Sequence, residues 1–156
     1  MVAPPVGREA IWAALFALFA PLLASAGGPF QTVSRRARHW GSDTNPWPAL
    51  YQLQRHEKAI TNERGLPTKW ELEGSLYIYA KNEINAAGGD SGGGQILNPL
   101  IDAVENALRP IPVLGNVQTL GGLVSRVFID GVVEVDEGNL DFQAVAIIPV
   151  RIIVPV

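Results

Sequence analysis

A chain of 156 residues, 47% of them apolar and only 17% charged, is long enough for one self-standing domain, since that size buries roughly 70% of the unfolded surface. A formal charge of -3 leaves no basic footprint for wrapping nucleic-acid backbone. The lack of cysteine excludes disulfides, thiolate nucleophiles and cysteine-ligated zinc, and so little solvated charge predicts that some apolar surface meets other subunits.

The first expected element is a helix over residues 8 to 25. Arg8, the apolar run from Ala10 and the stretch Ala24-Ser25-Ala26-Gly27 read like a signal peptide with its cleavage site. Glu9 cancels Arg8, however, and apolarity from Ala10 to Leu23 falls short of the roughly 20 residues that span a bilayer. A core helix retained in the mature protein fits better. Ile11, Leu15, Leu18, Phe19 and Leu22 share its stripe, and Trp12 and Phe16 widen it.

Gly27-Gly28-Pro29 stops that helix, and Phe30 to Arg36 is expected as the first strand. Ala37 to Pro48 reads as a loop carrying Trp40 and Trp47. Ala49 to Glu57 alternates, with Leu50, Gln52, Gln54 and His56 on one side and Tyr51, Leu53 and Arg55 on the other. The polar segment Lys58 to Thr68 makes this strand one arm of a hairpin whose other arm, Trp70 to Ala80, is the centre of the fold. Trp70, Leu72, Gly74, Leu76, Ile78 and Ala80 form an apolar inner face; Glu71, Glu73, Ser75, Tyr77 and Tyr79 form the outer one.

Gly88 to Gly94 is too glycine-rich to hold regular structure, so Ala86 to Gln95 is expected to be a mobile connector. Asn98-Pro99 has the wording of a helix start. Leu97, Leu100, Ile101, Val104, Ala107 and Leu108 then form a stripe, with Asp102, Glu105 and Asn106 facing out, before Arg109-Pro110. After a loop at Ile111 to Gly122, Leu123 to Glu137 and Leu140 to Val156 read as two strands, with Pro149 and Pro155 placing the last near an edge or bulge. The expectation is a single α+β domain over residues 1 to 156, with two helices on a mostly antiparallel sheet of about five strands. Its order is helix, three strands, helix, two strands.

Gly89-Asp90-Ser91-Gly92-Gly93 spells the GDSGG around the nucleophile of chymotrypsin-like proteases, where serine needs a histidine base and an orienting aspartate. Here the glycines run on into low complexity, and the histidines sit in RARHW and QRHEK, so a linker is the favoured reading. Gln95-Ile96 after Gly94 excludes a phosphate-binding P-loop. His39 and His56, with Glu57 and Glu63, match no metal-ligand spacing and read as surface histidines. Arg35, Arg36 and Arg38 beside Trp40 suit nucleic-acid stacking, a solvated loop base, or a contact with acidic residues of another subunit. Trp40 and Trp47 suit an interface, or a fold-back over the domain's own core.

The segments REAIWAALFALF, QTVSRR, NPWPALYQLQRHE, the strand W-x-L-x-G-x-L-x-I-Y, LNPLIDAVENAL, and LGGLVSRVFIDGVVEVDEG followed by AVAIIPVRIIV resemble, in order and wording, the tail terminator (tail completion) proteins of tailed bacteriophages, of the minor tail protein U type. The resemblance covers nearly the whole chain, although AAGGDSGGG matches no motif of that family. It implies helices on a sheet and a hexameric ring at the end of the tail tube, which stops tube polymerisation and offers a surface to the neck or connector. It further implies partners limited to copies of itself, the tube protein and the neck protein. DNA would pass without specific binding, and no cofactor, metal, catalytic group or membrane is implied. The place would be the virion tail, assembled in the host cytoplasm.

On that reading, Arg35, Arg36, Trp40, Trp47, Tyr77 and Tyr79 are candidates for subunit boundaries. Glu134, Asp136, Glu137 and Asp141 are candidates for a lumen whose negative charge keeps the duplex moving. The rival readings are another neck or head-tail joining protein, a secreted binding module resting on ASA-G, and a serine hydrolase resting on Ser91 with His39 or His56.

Overall fold

Alternation in WELEGSLYIYA produces the strand that carries the sheet, β3 (Pro67–Lys81). The computed structural model describes residues 6–37, 39, 45–65, 67–82, 92–110, 115–138 and 143–155. On the inner face of β3, Leu72, Leu76, Ile78 and Ala80 are fully buried. Two antiparallel neighbours flank it: β2 (Ala49–Thr61) and β6 (Gln143–Pro155). β1 (Thr32–Ser34) lies parallel to β2 at one edge. β4 (Arg126–Ile129) and β5 (Glu134–Asp136) follow one another along the far side of β6. The order is β1-β2-β3-β6-β4, with β5 also on β6, so the sheet is mostly antiparallel and has six strands.

The sixth strand arises because the stretch expected as one strand from Leu123 to Glu137 is broken opposite Pro149. The Pro149 carbonyl accepts from the Asp130 amide at 3.2 Å. In an antiparallel ladder a residue's N-H and C=O point the same way, so the N-H that proline lacks is missing toward this neighbour. The chain swings out at Gly131, whose φ of 116° suits glycine alone, and rejoins β6 at Glu134. Pro149 therefore does not mark an edge strand: β6 is paired on both sides.

Helix α1 (Arg8–Ala17) is shorter than the expected 8 to 25. Pro21 cannot continue an α-helical ladder, and two short 3-10 turns, Ala20–Leu22 and Ala24–Ala26, follow instead. Phe30 then pairs back onto this segment, accepting from the Ala24 amide and donating to the Leu22 carbonyl. The first strand accordingly shrinks from Phe30–Arg36 to three residues.

Helix α2 (Gly93–Leu108) starts five residues before the expected Asn98-Pro99 cap, so Pro99 lies inside it, on an exposed position. Gly93 and Gly94 are thus helical rather than linker. A Cβ on Gly93 would overlap the Glu137 carbonyl, so the glycine serves close approach of two backbones. Gln95 is helical too, and residues 86–91 of the expected connector lie outside the described residues.

Both helices cover one face of the sheet. Ile11, Trp12, Leu15 and Phe19 from the N-terminal segment, and Leu97, Leu100, Val104 and Leu108 from α2, join one core with Leu72, Leu76 and Ile78 of β3 and Ala146, Ile148, Val150 and Ile152 of β6. Each fully buried large apolar side chain contributes about 1.5–3 kcal/mol. Among the described residues no helix is long and apolar enough to cross a membrane.

Candidate functional site

With the helices on one face, the features open to a partner are the opposite, outer face and the two sheet edges. The outer face is laid out by a bulge in β2. Gln54 pairs with Gly74 but His56 pairs with Glu73, so Arg55 is an extra residue. The bulge moves His56 to the face opposite Gln54, where strict alternation had kept them together. It sets His56 across from Glu73 and Lys58 across from Glu71 on the outer face, and turns Glu57 to the helix side. There Glu57 meets the Arg8 guanidinium at 2.7 Å, which also lies 4.9 Å from the Trp70 ring centroid.

At the centre of the outer face stands Arg151, a residue the sequence reading did not single out. Its guanidinium lies 3.4 Å from Glu71, 3.3 Å from Glu73 and 2.8 Å from Asp130. The first two are hydrogen bonds; the third is a charge contact without hydrogen-bond alignment. The available signal was a lone charge within the apolar run AIIPVRIIVP. This network joins β3, β6 and the bulged chain after β4. Beside it runs a groove of about 250 Å³ lined by Arg55, His56, Glu73, Ser75, Asp130 and Arg151 among others. Asp130 is turned to Arg151, and no hydrogen bond joins Ser75 to His56 among the described residues.

Aromatic residues occupy the next stretch of the same face. Tyr79 is edge-on to Tyr51 at 5.3 Å, to Trp47 at 6.0 Å and to Tyr77 at 6.4 Å between ring centroids. Tyr51 is fully buried and accepts a hydrogen bond from the Asn45 amide at 3.0 Å. Trp47 thus leans back over the chain's own residues. Tyr79 is only 7% exposed, so Tyr77 and Trp47, both half-buried, are the members of this group that offer surface.

Arg35 and Arg36 follow the end of β1 and part company. Arg35 turns to the helix side and holds the Glu9 carboxylate with both terminal nitrogens, the second at 3.1 Å. Arg36 is exposed and makes no ion pair among the described residues. At the other end of the sheet Glu134, Asp136 and Glu137 are all exposed, beside Val132 at 77% and Val135 at 48% exposure.

The Arg35 hydrogen bonds hold the Glu9 carboxyl below its usual value of 4.5; burial opposes them and the charge of Arg35 adds to them. The Arg35 guanidinium is raised in turn by the same hydrogen bonds. A carboxyl depressed by folding stabilises above its unfolded pKa and loses that contribution as pH falls through the folded one. Wild type and Glu9→Gln should therefore differ in urea midpoint at neutral pH and converge in acid. The gap should be small, because Glu9 is 74% exposed. A gap that is unchanged by acid would contradict the assignment.

His39 and His56 are both exposed. Glu57 faces away from His56 in the register, and no cluster of three metal-ligating side chains exists among the described residues. Arg38, Trp40, Ser91 and Asp141 lie outside the described residues. No protein-family model and no curated protein matches the chain.

Proposed function

We propose that this protein is a structural virion component, copies of which close into a ring that ends a phage tail tube and joins it to the neck or connector. It works by stoichiometric assembly and turns over no substrate. The observation that carries this reading is the ordered resemblance to tail terminators, from REAIWAALFALF through to AVAIIPVRIIV. The fold adds support: helices cover one sheet face only, leaving an outer face and two edges to meet neighbouring copies, the tube and the neck. Trp47, Tyr77 and Arg36 remain the boundary candidates with surface to offer.

The lumen of such a ring is neutral to acidic, with Glu134, Asp136, Glu137 and Asp141 as candidates for its wall. A channel that passes DNA must not hold it, and like charge keeps the duplex moving. The virion tail is the place of action, reached by assembly in the host cytoplasm. Omitting the protein from tail assembly tests the reading. Overlong or unjoined tails are expected; tails of normal length that still attach to heads would end it.

A further inference from the structure

We infer that β1 of one copy pairs with β5 of the next, so that neighbouring copies share one continuous sheet. This rests on the ring reading above and names the contact that closes it.

The sheet order places β1 and β5 at opposite edges, and among the described residues each pairs on one side only, with β2 and with β6. β1 runs parallel to β2, β2 and β6 each run antiparallel to β3, and β5 runs antiparallel to β6. β1 and β5 therefore point in opposite directions. Copies placed head to tail in one orientation bring the two edges together as an antiparallel pair. Such a contact joins different surfaces, and it closes into a ring when the rotation between copies allows.

The β5 edge is three residues long and carries two carboxylates, which blunt it against non-specific pairing; beside them Val132 and Val135 are exposed, and Asp130 to Gly138 contains neither lysine nor proline. Its charge is the complement of the other edge: Glu134 and Asp136 here, Arg36 there, all exposed. The faces match as well. Thr32 and Ser34 lie on the outer face, opposite Ala49 and Tyr51, and Glu134 and Asp136 share that face through Ile147 and Val145. With Val33 set opposite Val135, Ser34 faces Glu134 and Thr32 faces Asp136. Arg36, exposed just past the end of β1, then supplies the positive charge nearest Glu134. Three paired residues set register rather than supply a whole interface, which needs about 1,200 Å² or more. The second occupant of each edge is another copy of this chain.

Because the chain has no cysteine, Ser34→Cys with Glu134→Cys reports on this contact alone. Within one chain the two positions are four strand spacings apart, about 19 Å, well beyond the roughly 7 Å limit for a disulfide. Oxidising the double variant should give a ladder of covalent multimers. A mixture of the two single variants should give only dimers, and each single variant alone should remain uncrosslinked. If native mass shows a ring but no disulfide forms, the edge contact is wrong and the ring reading stands. If the wild-type chain stays monomeric at every concentration, the ring reading falls and the edge contact with it. An independent check uses charge: Arg36→Glu should weaken assembly roughly fivefold, and adding Glu134→Arg should restore it. Failure of that rescue in a protein of wild-type circular dichroism would overturn the pairing.

Discussion

Replacing Trp12 with alanine should lower the unfolding free energy by about 3 kcal/mol, the low end of the range for truncating a large buried aromatic. Trp12 is 1% exposed and fixes α1 to the sheet in two ways. Its backbone carbonyl accepts from the buried Gln52 amide at 2.9 Å. Its ring lies so close over Gly74 that a Cβ there would come within 2.9 Å of Cζ3. Truncation leaves a ring-sized cavity between helix and strand, and neither can collapse far because β3 is paired on both sides. One effect works the other way. The indole Nε1 is buried without a partner among the described residues, and an unpaired buried donor costs about 1–3 kcal/mol. Removing that donor offsets part of the cavity term, hence the low end. Trp12→Phe separates the two contributions, since it deletes the orphan N-H while keeping most of the ring, and should come close to wild type. Urea titration of both variants decides it. A loss below about 1 kcal/mol for Trp12→Ala would mean that the helix is not held where the ring places it.

What could be seen in the sequence was whatever depends on periodicity within one element. The two faces of β3 and the stripe of α2 follow from spacings of two and of three to four residues, and both sort correctly from Trp70 and from Leu97 onward. What could not be seen depends on a second strand or helix lying alongside. The bulge at Arg55 moves His56 beside Glu73, and nothing in ALYQLQRHEK marks it, because the extra residue exists only relative to the pairing of Gln54 with Gly74. The local cap signal at Asn98-Pro99 does not start the helix, which begins at Gly93, where α2 passes close to the Glu137 backbone. The effect of Pro149 falls on the neighbouring chain after Ile129 rather than on its own strand. The candidate boundary residues divide for the same reason. Trp47 and Tyr79 find partners inside the chain, while the topology puts Arg36 just past the β1 edge and Glu134, expected toward the lumen, on the β5 edge.

A single added methyl group at Gly93 should destabilise the fold. On propensity alone, Gly93→Ala would help, since alanine is favoured over glycine in a helix by about 1 kcal/mol. Geometry opposes it. The new Cβ would overlap the carbonyl oxygen, carbonyl carbon and Cα of Glu137, all backbone atoms that cannot rotate aside. The same carbonyl accepts a hydrogen bond from the Asn82 side chain at 3.0 Å, so moving it disturbs a second contact. Overpacking of this kind costs about 1–3 kcal/mol, occasionally more, and with unyielding backbone the upper part of that range applies. The net expectation is a loss of about 2 kcal/mol. Gly94→Ala is the control one residue away: its Cβ would meet only the Glu137 carboxylate, the far end of a flexible side chain that can swing clear. That variant should be neutral or slightly stabilised. Because Glu137 directly follows β5, Gly93→Ala should also displace the edge inferred to join copies, and so weaken assembly beyond its effect on folding. Thermal or urea unfolding of the two variants, together with native mass of each, tests the chain of cause. Equal stability of Gly93→Ala and Gly94→Ala would show that α2 does not seat against the end of β5.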